Sequence, residues 1–187
     1  MLTSEPSGVY NGYSSRRNES ATIAVSSVLT TLVDDDVIPI VNSTAIGIVA
    51  HGYSAVQNAW SSIPLLTGPA SADIANSRFV IAIRDKNVYH GFAARPGTWS
   101  TLTLVDPGDV PAADGNTVLV DLTDPTGTGG IPRMAAFNGI REIWAISPPY
   151  SLPPAPLLDH KVASVHVRTA APGALGNFAR GCRRHDS

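Results

Sequence analysis

His51 and His90 recur in closely similar surroundings, Ala50-His51-Gly52-Tyr53-Ser54 and Tyr89-His90-Gly91-Phe92-Ala93. Imidazole exchanges protons near neutral pH and ligates transition metals, so a recurring histidine is first read as a base or a ligand. Asn11 holds the matching place one interval before His51, in Tyr10-Asn11-Gly12-Tyr13-Ser14. If the three segments fold alike, Asn11, His51 and His90 line one surface ring, a candidate binding site. Two histidines fall short of a zinc ligand set, and no Asp or Glu recurs beside them, so the pattern implies no metal and no cofactor. Asp34-Asp35-Asp36 lacks the spaced acids and the glycine of a calcium loop and reads as a solvated loop tip. There is no Gly-x-Ser-x-Gly elbow, phosphate loop, dinucleotide fingerprint or zinc-protease helix. No residue is thereby singled out as catalytic. Cys182 is the one cysteine, so no internal disulfide exists.

The elements that must position these residues are strands. Val9-Tyr10-Asn11-Gly12-Tyr13, Val49-Ala50-His51-Gly52-Tyr53 and Val88-Tyr89-His90-Gly91-Phe92 begin units that follow one another at nearly equal intervals of about forty residues. Trp60 follows Gly52 by eight residues and Trp99 follows Gly91 by eight; Ser20 stands there in the first unit. A fourth, worn unit keeps the seven-residue spacing from Phe137 to Trp144. In the clearest unit, strands over 88–93 and 98–104 flank Ala94-Arg95-Pro96-Gly97, where Pro presets φ and Gly supplies a positive φ. Leu102 and Leu104 alternate with Thr101 and Thr103, the period of a half-buried strand. Phe79 to Ile83 makes a third strand, and a fourth is expected around Val118 to Val120. The first unit opens at Val9 without the strands that precede its counterparts. Small sheets of this kind bury their faces only by stacking, so Tyr53, Trp60, Phe92, Trp99, Phe137 and Trp144 are expected in the core between units.

An aromatic residue, a short turn, and a Trp seven positions on followed by Ser/Thr and Leu/Ile resemble the second half of a kelch repeat. The resemblance runs from Tyr10 to Ile146 and implies a β-propeller blade. Two departures stand out. The glycine pair of kelch blades is missing from the preceding strands, and the period is short, closer to degenerate, kelch-like bacterial propeller repeats. The fold expected is all-β, a propeller-like array of about four small antiparallel sheets. Such an array is an incomplete ring, a fragment, or one whose open edges pair with another chain in a homo-oligomer.

Composition agrees with this reading. Sixteen Gly and 15 Pro interrupt any long helix, while 43% hydrophobic residues suffice for a core. The domain organisation expected is a β-repeat domain over 1–147, a linker over 148–160 with five prolines, and a short strand plus a disordered basic tail over 161–187. The formal net charge of −2 gives no reason to expect nucleic acid or an anionic membrane as partner. No secretory signal or apolar run of membrane-spanning length is present, and no compartment is indicated.

These observations favour a non-enzymatic binding or scaffold module, whose loops hold a protein or glycan partner at one end of the array. A hydrolytic enzyme with a loop-built site using His51, His90 and nearby aspartates is the alternative. A truncated propeller remnant without independent function is another.

Overall fold

The computed structural model describes residues 2–4, 8–34, 36–70, 73–105, 108–122 and 133–147. The expected linker and tail therefore lie outside the described residues. Fifteen strands form four antiparallel sheets among the described residues. The first sheet holds β1 (Leu2–Ser4), β2 (Val9–Ser14) and β3 (Glu19–Ala24). The second holds β4 (Val28–Thr31), β5 (Val37–Thr44), β6 (Gly47–Ser54) and β7 (Ala59–Leu65). The third holds β8 (Ile74–Ser77), β9 (Val80–Asp85), β10 (Val88–Ala93) and β11 (Thr98–Thr103). The fourth holds β12 (Ala112–Asp114), β13 (Thr117–Asp121), β14 (Met134–Asn138) and β15 (Ile143–Ile146). Each is a meander in sequence order, and each sheet stacks on the next in the chain, β3 on β7, β7 on β11 and β11 on β15. The architecture is all-β and propeller-like.

Burial follows a strand's place in its sheet. Val80-Ile81-Ala82-Ile83 of β9 is buried throughout because neighbouring sheets cover both of its faces. Thr98-Trp99-Ser100-Thr101-Leu102-Thr103 of β11, an outer edge, mixes exposed and half-buried residues and has none fully buried. Three apolar clusters fill the three junctions: Ile38, Ile40 and Tyr53 against Tyr10 and Ile23; Val37, Val41 and Ala50 against Ile81, Ile83 and Phe92; Val80, Ala82 and Tyr89 against Val118, Val120 and Phe137.

The repeated geometry of the junctions comes from one small residue and one large one. A Cβ on Gly12 would lie 2.6 Å from the Tyr53 ring, one on Gly52 2.9 Å from Phe92, and one on Gly91 2.8 Å from Phe137. Each glycine therefore leaves the bare backbone on which the next sheet's ring lies. The same ring stacks on the Trp paired with it across the hairpin, with centroids 5.1 Å apart for Tyr53–Trp60, Phe92–Trp99 and Phe137–Trp144. Each indole N–H then donates to the outer strand of the preceding sheet: Trp60 to the Ala21 carbonyl at 3.0 Å, Trp99 to Ser61 at 3.2 Å and Trp144 to Ser100 at 3.3 Å. Burying one such ring is worth roughly 2–3 kcal/mol.

Three expectations need correction. Val118 to Val120 does not complete the third sheet; it lies in β13, paired with β12 and β14. The fourth strand of the third sheet is β8, which precedes β9, and its four residues, with Ile74 alone fully buried, carry no readable alternation. The first sheet does have one strand before Val9, since Leu2, Thr3 and Ser4 pair with Gly12, Asn11 and Tyr10, but it stays one strand short of its counterparts. The tip of Asp34-Asp35-Asp36 is not wholly solvated either. Asp36 is buried, its carboxylate 2.8 Å from Arg16 Nη2, because β5 starts at the next residue and Arg16 reaches over from the first sheet.

Candidate functional site

Asn11, His51 and His90 occupy the same register position, each two residues before the aromatic of its strand and opposite a hydroxyl on the outer strand. The pairs are Asn11 with Thr22, His51 with Ser62 and His90 with Thr101. The structure does not bring the three together on a surface. His51 is 9% exposed and His90 5%, each facing the sheet that precedes its own alongside Tyr53 or Phe92. Asn11 belongs to the first sheet, where Thr22 Oγ1 donates to its Oδ1 at 2.7 Å. What recurs is thus a polar pair inside each sheet, and each histidine anchors a separate cluster.

Around His51 the bonding is complete. Its Nε2 lies 2.8 Å from Asn42 Oδ1 and its Nδ1 2.7 Å from Ser62 Oγ. Asn42 Nδ2 donates to the Ser26 carbonyl at 3.0 Å. A carbonyl can only accept, so the Asn42 atom facing it is the amide nitrogen, and the atom facing His51 is the oxygen. Nε2 must then carry the proton, which leaves Nδ1 with a lone pair that accepts from the Ser62 hydroxyl. Burial lowers the His51 pKa, which favours this neutral ring.

Around His90 the corresponding asparagine is an aspartate. Asp85 is fully buried, and its carboxylate turns to the chain entering the third sheet. Oδ1 accepts the Thr67 amide at 2.9 Å and the Thr67 hydroxyl at 2.6 Å, and Oδ2 accepts the Leu66 amide. His90 Nε2 lies 3.8 Å from Asp85 Oδ2, too far for a hydrogen bond, and is buried without a partner. Its Nδ1 is 3.3 Å from Thr101 Oγ1. Burial lowers the His90 pKa, with the Asp85 charge acting in the opposite direction.

Sequence reasoning found the two histidines and missed Asn42, Asp85, Ser62 and Thr101. The hydroxyls had a signal: Thr22, Ser62 and Thr101 each follow their partner at one constant separation, the one that hairpin pairing requires. Among the described residues no group of three or more His, Cys, Asp or Glu side chains could hold a metal ion.

The two ends of the array differ. β5 and β7 run the same way, so the β5–β6 turn and the exit of β7 share an end. The neighbouring third sheet is aligned with them, since Asp85 at the tip of β9 holds the residues just after β7. Ile46 in that turn is 97% exposed, Leu66 after β7 68%, and Val105 after β11 95%. The opposite end also exposes Val33 and Ile140, but among charged and polar hairpin tips with Arg16, Arg17, Gln57, Arg95, Arg141 and Glu142, and it carries bonds between sheets such as Arg17 Nε to the Val56 carbonyl at 2.9 Å. There the Arg16 and Arg78 guanidinium groups also lie over the Phe79 ring, 5.9 and 4.9 Å from its centroid.

No family model matches the chain, and no curated protein does. Among solved structures it is similar to apo AztD from Citrobacter koseri, with 17% sequence identity and a TM-score of 0.38. The similarity covers 79% of this chain and 46% of that one, so the chain spans less than half the length of the structure it matches. No helix among the described residues is long and apolar enough to cross a membrane.

Proposed function

We propose that the chain is a kelch-like propeller segment acting as a non-enzymatic binding module, and that its partner is a protein held at the end carrying Ile46, Leu66 and Val105. The observation behind this reading is the exposure of those three aliphatic side chains at one end of the array. Water contact with exposed aliphatic surface is unfavourable, and a protein surface relieves it. Glycans are held by stacking on flat rings, and the described rings are spent in the sheet junctions, with Tyr13 as the exposed exception on the first sheet. The kelch-like relationship draws support from the three four-stranded meanders and the aromatic–Trp pair in the hairpin of each of them. The role of the recurrent glycine also separates these sheets from blades marked by a glycine pair.

The test is to pan a random peptide library on the folded protein and to probe the same protein on a glycan array. The reading expects enriched peptides whose affinity falls at least tenfold when Ile46, Leu66 and Val105 are all replaced by Asp, with the melting temperature retained. Glycan binding in place of peptide binding, or peptides indifferent to the triple replacement, contradicts it.

A further inference from the structure

We infer that Ser62 is an activated serine, able to take an acyl group from an activated ester, with His51 as its base and Asn42 as the group that fixes the ring. The inference is independent of the binding role proposed above and concerns the outer rim of the junction between the first two sheets.

Three features carry it. First, Ser62 lies on β7, an outer edge strand, and its side chain is exposed although its histidine is buried. A reagent can reach the hydroxyl without entering the core. Second, the short 2.7 Å contact joins the hydroxyl to a nitrogen that carries a lone pair, because the Ser26 carbonyl fixes Asn42 and Asn42 fixes the ring proton on Nε2. A nucleophile, a base within hydrogen-bond reach and a third group orienting the base form the arrangement that activates hydroxyls. It is the triad with the two ring nitrogens exchanged: here Nδ1 faces the nucleophile and Nε2 faces the orienting residue. Third, burial keeps the ring neutral near pH 7, which a base requires.

The other sheets show why this holds at Ser62. In the first sheet the partner of Thr22 is Asn11, and an amide is not a base. In the third the hydroxyl is the more hindered secondary alcohol of Thr101, at 3.3 Å from its histidine.

In the step itself, the Ser62 oxygen bonds to the carbonyl carbon of the ester while the hydroxyl proton passes to His51 Nδ1. The bond from that carbon to the departing oxygen then breaks, and the leaving group takes the proton from His51 or departs as the anion. Acyl-Ser62 is the product. Water attacking the same carbon would regenerate the serine.

The experiment treats the full chain with p-nitrophenyl acetate at pH 7.5 and locates acetyl groups by peptide mapping. The inference expects acetylation of Ser62, at least tenfold slower in His51→Gln and absent in Ser62→Ala, with Thr101→Val unchanged. Because His51→Gln could disturb folding, Ser62→Cys provides a second arm. Its introduced thiol should react with iodoacetamide at least tenfold faster than N-acetylcysteine at pH 7. A Ser62 left without acetyl groups, or an introduced thiol no faster than the free one, overturns the inference.

Discussion

Around His51 every polar atom meets a partner, whereas around His90 the carboxylate is occupied and the imidazole Nε2 is not. Asn42 divides its two ends between the Ser26 carbonyl and the His51 ring, tying the entry of the second sheet to its third strand. Asp85 has only acceptors, so it gathers the Leu66 and Thr67 donors and leaves His90 Nε2 3.8 Å away. One backbone position thus gives two kinds of junction. The neutral one fixes a tautomer and presents a bonded serine at the rim. The charged one clamps the connection between two sheets, with the histidine as a bystander. Exchanging an amide for a carboxylate changes which element the side chain holds, because it removes the donor that a carbonyl needs and supplies acceptors that amides need.

The largest effect is expected from Asp85→Ala. It removes the buried acceptor of two backbone amides and one hydroxyl, and should destabilise the protein by about 3 kcal/mol in urea unfolding. Asn42→Ala breaks two neutral bonds and should cost about 1.5 kcal/mol, roughly half as much. Equal losses would erase the distinction between clamp and tautomer lock.

Acid tests both histidines at once. Each has a folded pKa below its ordinary value of 6.5, so the folded protein binds fewer protons than the unfolded chain in that range. Stability is therefore fully present above about pH 6.5 and falls as pH drops below it. The urea midpoint should decline on acidification, and the decline should flatten in a His51→Gln, His90→Gln double variant. An unaltered slope would show that neither buried ring controls it. The smallest difference lies on the rim. Ser62→Ala should lower stability by about 1 kcal/mol and Thr101→Val by less, in keeping with the shorter bond at Ser62.

The stacking of aromatics was legible because Tyr53–Trp60, Phe92–Trp99 and Phe137–Trp144 are joined by hairpin turns of equal length, which keep the spacing constant in sequence. Residues at the ends of those turns, Asn58, Gly97 and Glu142, and Asn18 in the matching turn of the first sheet all adopt positive φ; glycine and asparagine advertise it, and Glu142 does not. Asn42 and Asp85 were not legible as equivalents. The turn from Asn42 to Val49 is four residues longer than that from Asp85 to Val88, so a fixed offset aligns the histidines and misaligns their partners. The burial of His51 and His90 was hidden for a related reason. Their neighbours Gly52 and Gly91 mark where the next ring lies, which shows only once the sheets are stacked.

The most direct test is the protonation state of the His51 ring, read from long-range nitrogen–proton correlations in the ¹⁵N-labelled protein at pH 7. The account requires a neutral ring with the proton on Nε2 and a bare Nδ1. A ring protonated on Nδ1, or on both nitrogens, would mean that Ser62 is not donating to it, and the contrast with His90 would lose its basis.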